Sequence, residues 1–321
     1  MYRKILSFLE AWKDSVHRKP LILQGARQVG KTYSILEFGR THYENVAYFN
    51  FETNPKLNKT FEENISPDYL IPILSHIAGQ TIVKEKTLII FDEVQLCERA
   101  LTSLKYFCED APDYHIIVAG SLLGVAVNRA KFSFPVGKVD MKTLYPMDME
   151  EFMLALGEDD LVKEIKKCFQ TDTPLPIALH DAAMQLYRQY LVVGGMPECV
   201  MQFAETKDYI LVRHTQDTIL ASYLNDMSKY NNLNEIKKTR LAYDNITVQL
   251  SKKNTRFQYK LIKKGGRASE FENAIEWLCL SGIVSQVYKV EQIKKPLENY
   301  RDIDAFKIYV SDLGLLCAKK D

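Results

Sequence analysis

A chain of 321 residues has room for two or three domains of ordinary size. Its 46% hydrophobic and 26% charged residues are ordinary for a soluble globular protein. With 42 basic against 41 acidic residues the net charge is +1, which excludes a global field for nucleic acid or membranes, so any basic surface must be local.

In chain order, residues 3–16 read as a short amphipathic helix holding Glu10, Lys13 and Asp14. The N-terminus lacks the apolar core of a signal peptide, and no later apolar run approaches the length of a membrane span. A cytoplasmic location with no membrane partner is expected by elimination. Pro20–Gln24 (PLILQ) is a short apolar run that ends in a glycine-rich turn, and a helix follows from Lys31 to about Arg40. Val46–Phe51 reads as a strand, and two helices fit within 55–78. Thr87–Phe91 (TLIIF) is a buried strand with acids at its end. Ala100–Glu109 is a helix, His115–Ala119 (HIIVA) another buried strand, and Val139–Leu144 one more. Apolar strands alternating with helices indicate an α/β part with a parallel sheet covered on both faces, ending near residue 146.

From Met147 to Lys238 the pattern turns helical, with apolar residues three and four apart over 181–192, 198–206 and 208–229. Gly157–Asp160, Pro174 and Pro176 mark loops. From about residue 239, helical patterns at 241–252 and 269–281 precede an alternating strand at Ile283–Val290, with Lys307–Val310 placed to return beside it. Helices followed by a β-hairpin suggest a winged helix-turn-helix. The six cysteines form no C-x-x-C pair and read as reduced, structural thiols, and the six histidines show no zinc spacing.

The chemistry concentrates near the start. Gly25-Ala26-Arg27-Gln28-Val29-Gly30-Lys31-Thr32 satisfies G-x-x-x-x-G-K-[ST] between an apolar strand and a helix, the setting in which that pattern binds nucleotide. The glycines let backbone N–H groups face the phosphates, and the following helix points its positive end at the same anion. Lys31 is expected on the β- and γ-phosphates of ATP and Thr32 on Mg²⁺. Leu88–Glu93 is a buried strand ending in two acids at the sheet edge where α/β folds bind ligands. Asp92 is expected to hold Mg²⁺ through water, and Glu93 to act as general base on the attacking water. Ser121 follows the next apolar strand and is a candidate for the γ-phosphate or for water. It serves equally well as the N-cap of a helix starting at Leu122.

The stretches LILQGARQVGKT, LIIFDEVQ, VAGSLLG, FPVGKVDMKTLYPMDMEEF, VVGGMPE, SYLNDMSKY and FKIYVSDLGLL together resemble a prokaryotic AAA-type (AAA+ superfamily) P-loop ATPase family usually joined to a C-terminal domain of unknown function. The resemblance implies an α/β P-loop NTPase core of the additional-strand (ASCE/AAA) type, then a helical lid, then a winged helix-turn-helix. These parts correspond to residues 1–146, 147–238 and 239–321. It makes Gly25–Thr32 the Walker A element, Asp92-Glu93 the Walker B element, and Ser121 a sensor. Gly194-Gly195-Met196-Pro197 resembles the glycine-x-proline turn by which related signalling ATPases approach nucleotide from the lid, making Pro197 a nucleotide contact. From the residues alone, that stretch is a helix stop and restart.

Two departures stand out. Where family members often carry an arginine, this chain has Gly137-Lys138, and lysine is a poorer bidentate phosphate clamp. Lys138 and the other candidate finger, Arg129, therefore read as ordinary surface cations. Members also usually continue past Asp312–Leu316 into a nuclease-like domain, whereas this sequence stops at Asp321, so no nuclease activity is expected.

Between Ser251 and Arg267 lie Lys252, Lys253, Arg256, Lys260, Lys263, Lys264 and Arg267 with no acid among them, a run able to neutralise phosphates. The next helix carries a core stripe of Phe271, Ala274, Ile275 and Leu278, but its other positions include Glu270, Glu272 and Glu276, which repel phosphates. DNA and a protein stand level as partners of this region, and a homo-oligomer is compatible with the sequence. The leading expectation is an ATP hydrolase using ATP and Mg²⁺. A slow nucleotide-dependent switch is the alternative, and a small-molecule kinase is disfavoured because Asp92-Glu93 suits water activation.

Overall fold

The computed structural model describes residues 1–120, 134–229, 232–253 and 256–320. The chain divides into two compact units, residues 2–145 and the remainder from Pro146 onward.

The first unit is an α/β layer structure. Its strands are β1 (Leu21–Gln24), β2 (Asn45–Asn50), β3 (Thr87–Asp92), β4 (His115–Ala119) and β5 (Asp140–Thr143), and its helices are α1 (Ile5–Lys13), α2 (Lys31–His42), α3 (Lys56–Glu63), α4 (Pro67–Ala78) and α5 (Glu98–Asp110). Among the described residues the five strands form one parallel sheet in the order β2-β3-β4-β1-β5. Thus β4 is inserted between the strand that feeds the glycine-rich turn and the strand that ends in Asp92. Ile117 of β4 sits opposite both Leu21 and Ile90. The sequence of each strand follows from its place. The central β3 and β4 are buried at every position and read as unbroken apolar runs, as a strand covered on both faces must. The edge strand β5 (DMKT) is half-exposed and carries Asp140 and Lys142, which discourage further pairing.

One apolar cluster fixes the end of β3. Phe91 packs on Phe49, Phe51 and Phe61 at ring-centroid distances of 6.0, 5.8 and 5.5 Å, and both Phe61 and Phe91 are fully buried. The edge-on geometry of the Phe51 and Phe61 contacts suits the ring quadrupoles. Asp92 is the next residue, so this packing sets where its carboxylate begins.

The second unit is mainly helical: α6 (Met149–Ala155), α7 (Asp159–Gln170), α8 (Ile177–Val193), α9 (Pro197–Thr206), α10 (Tyr209–Lys229), α11 (Leu233–Leu250), α12 (Tyr259–Ile262), α13 (Ala268–Leu280) and α14 (Leu313–Ala318). Among its described residues, strands β6 (Val284–Val290) and β7 (Arg301–Val310) pair antiparallel. Several expected boundaries move. Asp159 and Asp160, read as loop, occupy the first turn of α7, where acids complement the helix dipole. Helix α11 starts at Leu233 and runs through residue 238, with the Asn232 side chain accepting the Glu235 N–H. Strand β7 begins six residues before Lys307. The stripe Phe271, Ala274, Ile275 and Leu278 is buried in α13, while Glu272 and Glu276 are exposed.

A knot of hydrogen bonds ties the end of α8 to α14. The Asp312 carboxylate caps α14 by accepting the Leu315 N–H at 2.8 Å, and it accepts the Gly195 N–H at 2.6 Å. The Gln216 side chain donates to the carbonyls of Val192 and Val193 at 2.9 and 3.1 Å. Gly195 O accepts the Met147 N–H at 2.7 Å, and Met147 O accepts the Tyr190 hydroxyl at 2.8 Å. A Cβ on Gly195 would lie 1.9 Å from Met147 O, and one on Gly314 would lie 2.4 Å from Val193 O. Both glycines are required by close backbone approach.

Candidate nucleotide site

Strands β1 and β3 deliver the two motifs to the same edge of the sheet, because a parallel sheet ends all its strands on one side. After Gln24 the chain turns through Gly25 at φ +149°, where an added Cβ would lie 2.1 Å from Leu144 O. Gln28 at φ +64° and Gly30 at φ +89° are the other left-handed positions of the loop, and Gly30 immediately precedes α2. The loop therefore wraps into the N-terminus of a twelve-residue helix, whose unsatisfied N–H groups and dipole favour an anion.

Lys31 is 8% exposed, and its ammonium donates to the carbonyls of its own loop, Gly25 at 2.9 Å and Ala26 at 2.7 Å. Burial lowers its pKa from the ordinary 10.5 to about 8, with Glu93 and Asp92 opposing the fall and Arg27 adding to it. Thr32 Oγ1 donates to Asp92 Oδ2 at 2.9 Å, joining the glycine-rich loop to the end of β3 across 60 residues of sequence. Asp92 is 4% exposed. Its Oδ1 accepts the Glu93 N–H at 2.9 Å, and its Oδ2 also accepts the Tyr48 hydroxyl at 2.7 Å. Glu93 sits in the left-handed region at φ +51°, and its carboxylate accepts the Gln95 amide. The structure thus brings Lys31, Thr32, Asp92 and Glu93 together. A hard cation fits this donor set. The side chains of Thr32, Asp92 and Glu93 offer only oxygens, and a threonine that gives its proton to a carboxylate keeps its oxygen lone pairs for a metal.

The remaining candidates fall elsewhere. Ser121 and Arg129 lie outside the described residues. Lys138 pairs with Glu109 at 2.9 Å. Pro197 belongs to the second unit, where it opens α9 behind the buried Met196. The seven basic residues of 252–267 are exposed, with Lys263 paired to Glu270 at 3.0 Å.

Three residues of the site were not singled out from sequence. Buried Arg3 donates to Val29 O at 2.9 Å and to Tyr145 O at 2.8 Å, bracing the glycine-rich loop from the N-terminal segment. Tyr48 and Gln95 hold the two acids. Only Gln95 left a sequence signal, its position two residues after Glu93.

No helix among the described residues is long and apolar enough to cross a membrane. Comparison with known proteins adds the family. Residues 17–153 match the family described as AAA domain, and residues 184–321 match a Domain of unknown function (DUF8612). No curated protein matches the chain. Among solved structures, the Walker-type ATPase Paby2304 of Pyrococcus abyssi is similar at a TM-score of 0.60 and 14% identity, over 100% of this chain and 96% of that one. The ORC2 protein of Aeropyrum pernix, solved as ADPNP-ADP complexes, gives a TM-score of 0.51 and 12% identity over 99% and 93%. At such identities the likeness is one of fold. Residues 17–153 thus form an AAA domain of the P-loop type, and residues 184–321 a domain of unknown function.

Proposed function

We propose that the first unit binds ATP with Mg²⁺ and hydrolyses it to ADP and phosphate. The observation that carries this reading is the Thr32–Asp92 hydrogen bond, which puts a hydroxyl and a carboxylate side by side at the mouth of the glycine-rich loop. Thr32 and Asp92 would hold Mg²⁺, which when bound neutralises charge on the phosphates. Backbone N–H groups of Gly25, Ala26, Arg27, Gln28, Val29 and Gly30 would cradle those phosphates. Lys31 would exchange its two loop carbonyls for phosphate oxygens, a trade of neutral acceptors for anionic ones that strengthens each bond. Glu93 would take the proton of the attacking water, and Ser121 would orient that water or the γ-phosphate.

The grip of Gln95 on Glu93 favours a second reading, a slow switch whose nucleotide state is read out by the second unit. In either reading the turn before Pro197 would respond to nucleotide, residues 147–238 would act as a lid, and residues 239–321 would act as a winged helix. The exposed basic run at 252–267 supports DNA as partner, and the acids of α13 support a protein.

The test is multiple-turnover ATP hydrolysis with Mg²⁺, with and without duplex DNA, for wild type and Glu93→Gln. The amide keeps the shape but accepts no proton. We expect nucleotide binding to persist while the rate falls by about 10²–10⁴-fold. A wild-type rate in Glu93→Gln removes Glu93 as the base, and a negligible wild-type rate with tight binding selects the switch.

A further inference from the structure

Strand β2 lies beside β3 in parallel register, with Tyr48 opposite Ile90 and Asn50 opposite Asp92. Alternation puts Tyr48 and Asn50 on the same face as Asp92. From there the Tyr48 hydroxyl crosses diagonally to Asp92 Oδ2 at 2.7 Å. Tyr48 is 38% exposed, so this hydrogen bond is made from a partly open site. Asn50 Nδ2 donates to the Tyr48 oxygen at 3.2 Å. Asn50 Oδ1 is itself fixed by the N–H groups of Glu52 and Thr53, both at 2.9 Å. A relay therefore runs from the turn after β2 through Asn50 and Tyr48 to Asp92, and from Asp92 to Thr32.

The donor count gives this relay its meaning. A carboxylate has about four acceptor positions. Asp92 Oδ2 takes two donors, Thr32 and Tyr48, and Oδ1 takes the Glu93 N–H. The Glu93 N–H alone leaves the carboxylate free to turn about its terminal torsion, which is broad for aspartate. Two further donors on the same oxygen remove that freedom. Partners of this kind, one shell out from a metal, commonly set affinity by orienting the group that meets it.

We propose that Tyr48 is a positioning residue for the divalent cation: its hydroxyl holds the Asp92 carboxylate in the orientation in which Asp92 and Thr32 meet Mg²⁺. This rests on the ATP and Mg²⁺ reading above. Tyr48 touches no phosphate in this role and carries no proton in the reaction. Its effect belongs to the coupling between metal and nucleotide, not to nucleotide affinity in general.

The test measures binding of a fluorescent β,γ-imido ATP analogue to the full chain, once with Mg²⁺ and once with EDTA, for wild type and Tyr48→Phe. The substitution keeps the ring at a partly exposed site. The ratio of the two dissociation constants reports how much the metal contributes. We expect that ratio to fall by about tenfold in Tyr48→Phe, within the range seen for such outer partners, with the EDTA affinity unchanged. An unchanged ratio or a larger one overturns the proposal. So does an equal loss in both arms, which would mark Tyr48 as merely structural. If wild type binds no analogue, or binds it equally with and without Mg²⁺, the underlying reading of the site fails and takes this inference with it.

Discussion

Replacing Lys31 by methionine separates what this side chain costs the fold from what it does for a ligand. Its pKa falls from 10.5 to about 8 because it is buried. At about 1.4 kcal/mol per tenfold change in protonation, that gap bounds the cost of holding the charged form at neutral pH to about 3 kcal/mol. Methionine removes the charge and keeps most of the stem, but it withdraws the ammonium from the carbonyls of Gly25 and Ala26, which returns about 1 kcal/mol. The variant should therefore be more stable than wild type by about 1–2 kcal/mol at pH 7 without nucleotide. The sign follows from a lysine whose folded pKa is depressed: the cost is full below about 8 and disappears as pH rises toward 10.5. In urea denaturation the gap between variant and wild type should accordingly close between pH 8 and pH 10. Saturating ATP should invert the ranking at pH 7, since ligand at a hundred times its Kd adds about 2.7 kcal/mol to the protein that binds it. A variant less stable than wild type without nucleotide, or a gap indifferent to pH, refutes the reasoning.

Gly25→Ala should cost about 2–4 kcal/mol and abolish nucleotide binding, because the new methyl meets Leu144 O at 2.1 Å with backbone on both sides. Gly137→Ala is its control: φ is positive there too, but the space is open, so denaturation should show a loss of only about 1 kcal/mol. Phe91→Ala should lose about 3–5 kcal/mol by opening the aromatic cluster under Asp92, read as a lower urea midpoint. Asp312→Ala strands the buried N–H groups of Gly195 and Leu315 and should destabilise the second unit by about 2–5 kcal/mol. Amide hydrogen exchange at Gly195 should quicken in that variant, and unchanged protection there would contradict the assigned role of the carboxylate.

The α/β unit was legible in the sequence because its signals are local. A glycine-rich turn between strand and helix, and an apolar strand ending in two acids, each declare themselves within eight residues. What escaped depends on register or on distance. Tyr48 reads as an ordinary strand tyrosine until β2 is known to lie beside β3. Arg3 reads as a terminal cation until Val29 O and Tyr145 O come within its reach. In the second unit, charge misled. Asp159 and Asp160 open a helix rather than a loop, and the acids of Arg301–Asp304 concealed the start of β7. Helix α14, at six residues, is too short for periodicity to reveal, and the role of Asp312 as its cap emerges only in the structure.

The clamp between Asp312 and Gly195 also has a timetable. The two residues are 117 positions apart, so a ribosome adding about 5–20 residues per second makes the carboxylate some 6–23 s after the amide it receives. Throughout that interval the turn at Gly194–Pro197 exists without its lock, and helices α8 and α9 have no fixed angle from this source. Final assembly of the second unit thus waits until residue 312 has been made. A nascent chain arrested before residue 312 would expose the Val193 and Gly195 backbone that the folded unit conceals, and it would offer chaperones or proteases a target that the folded unit withdraws.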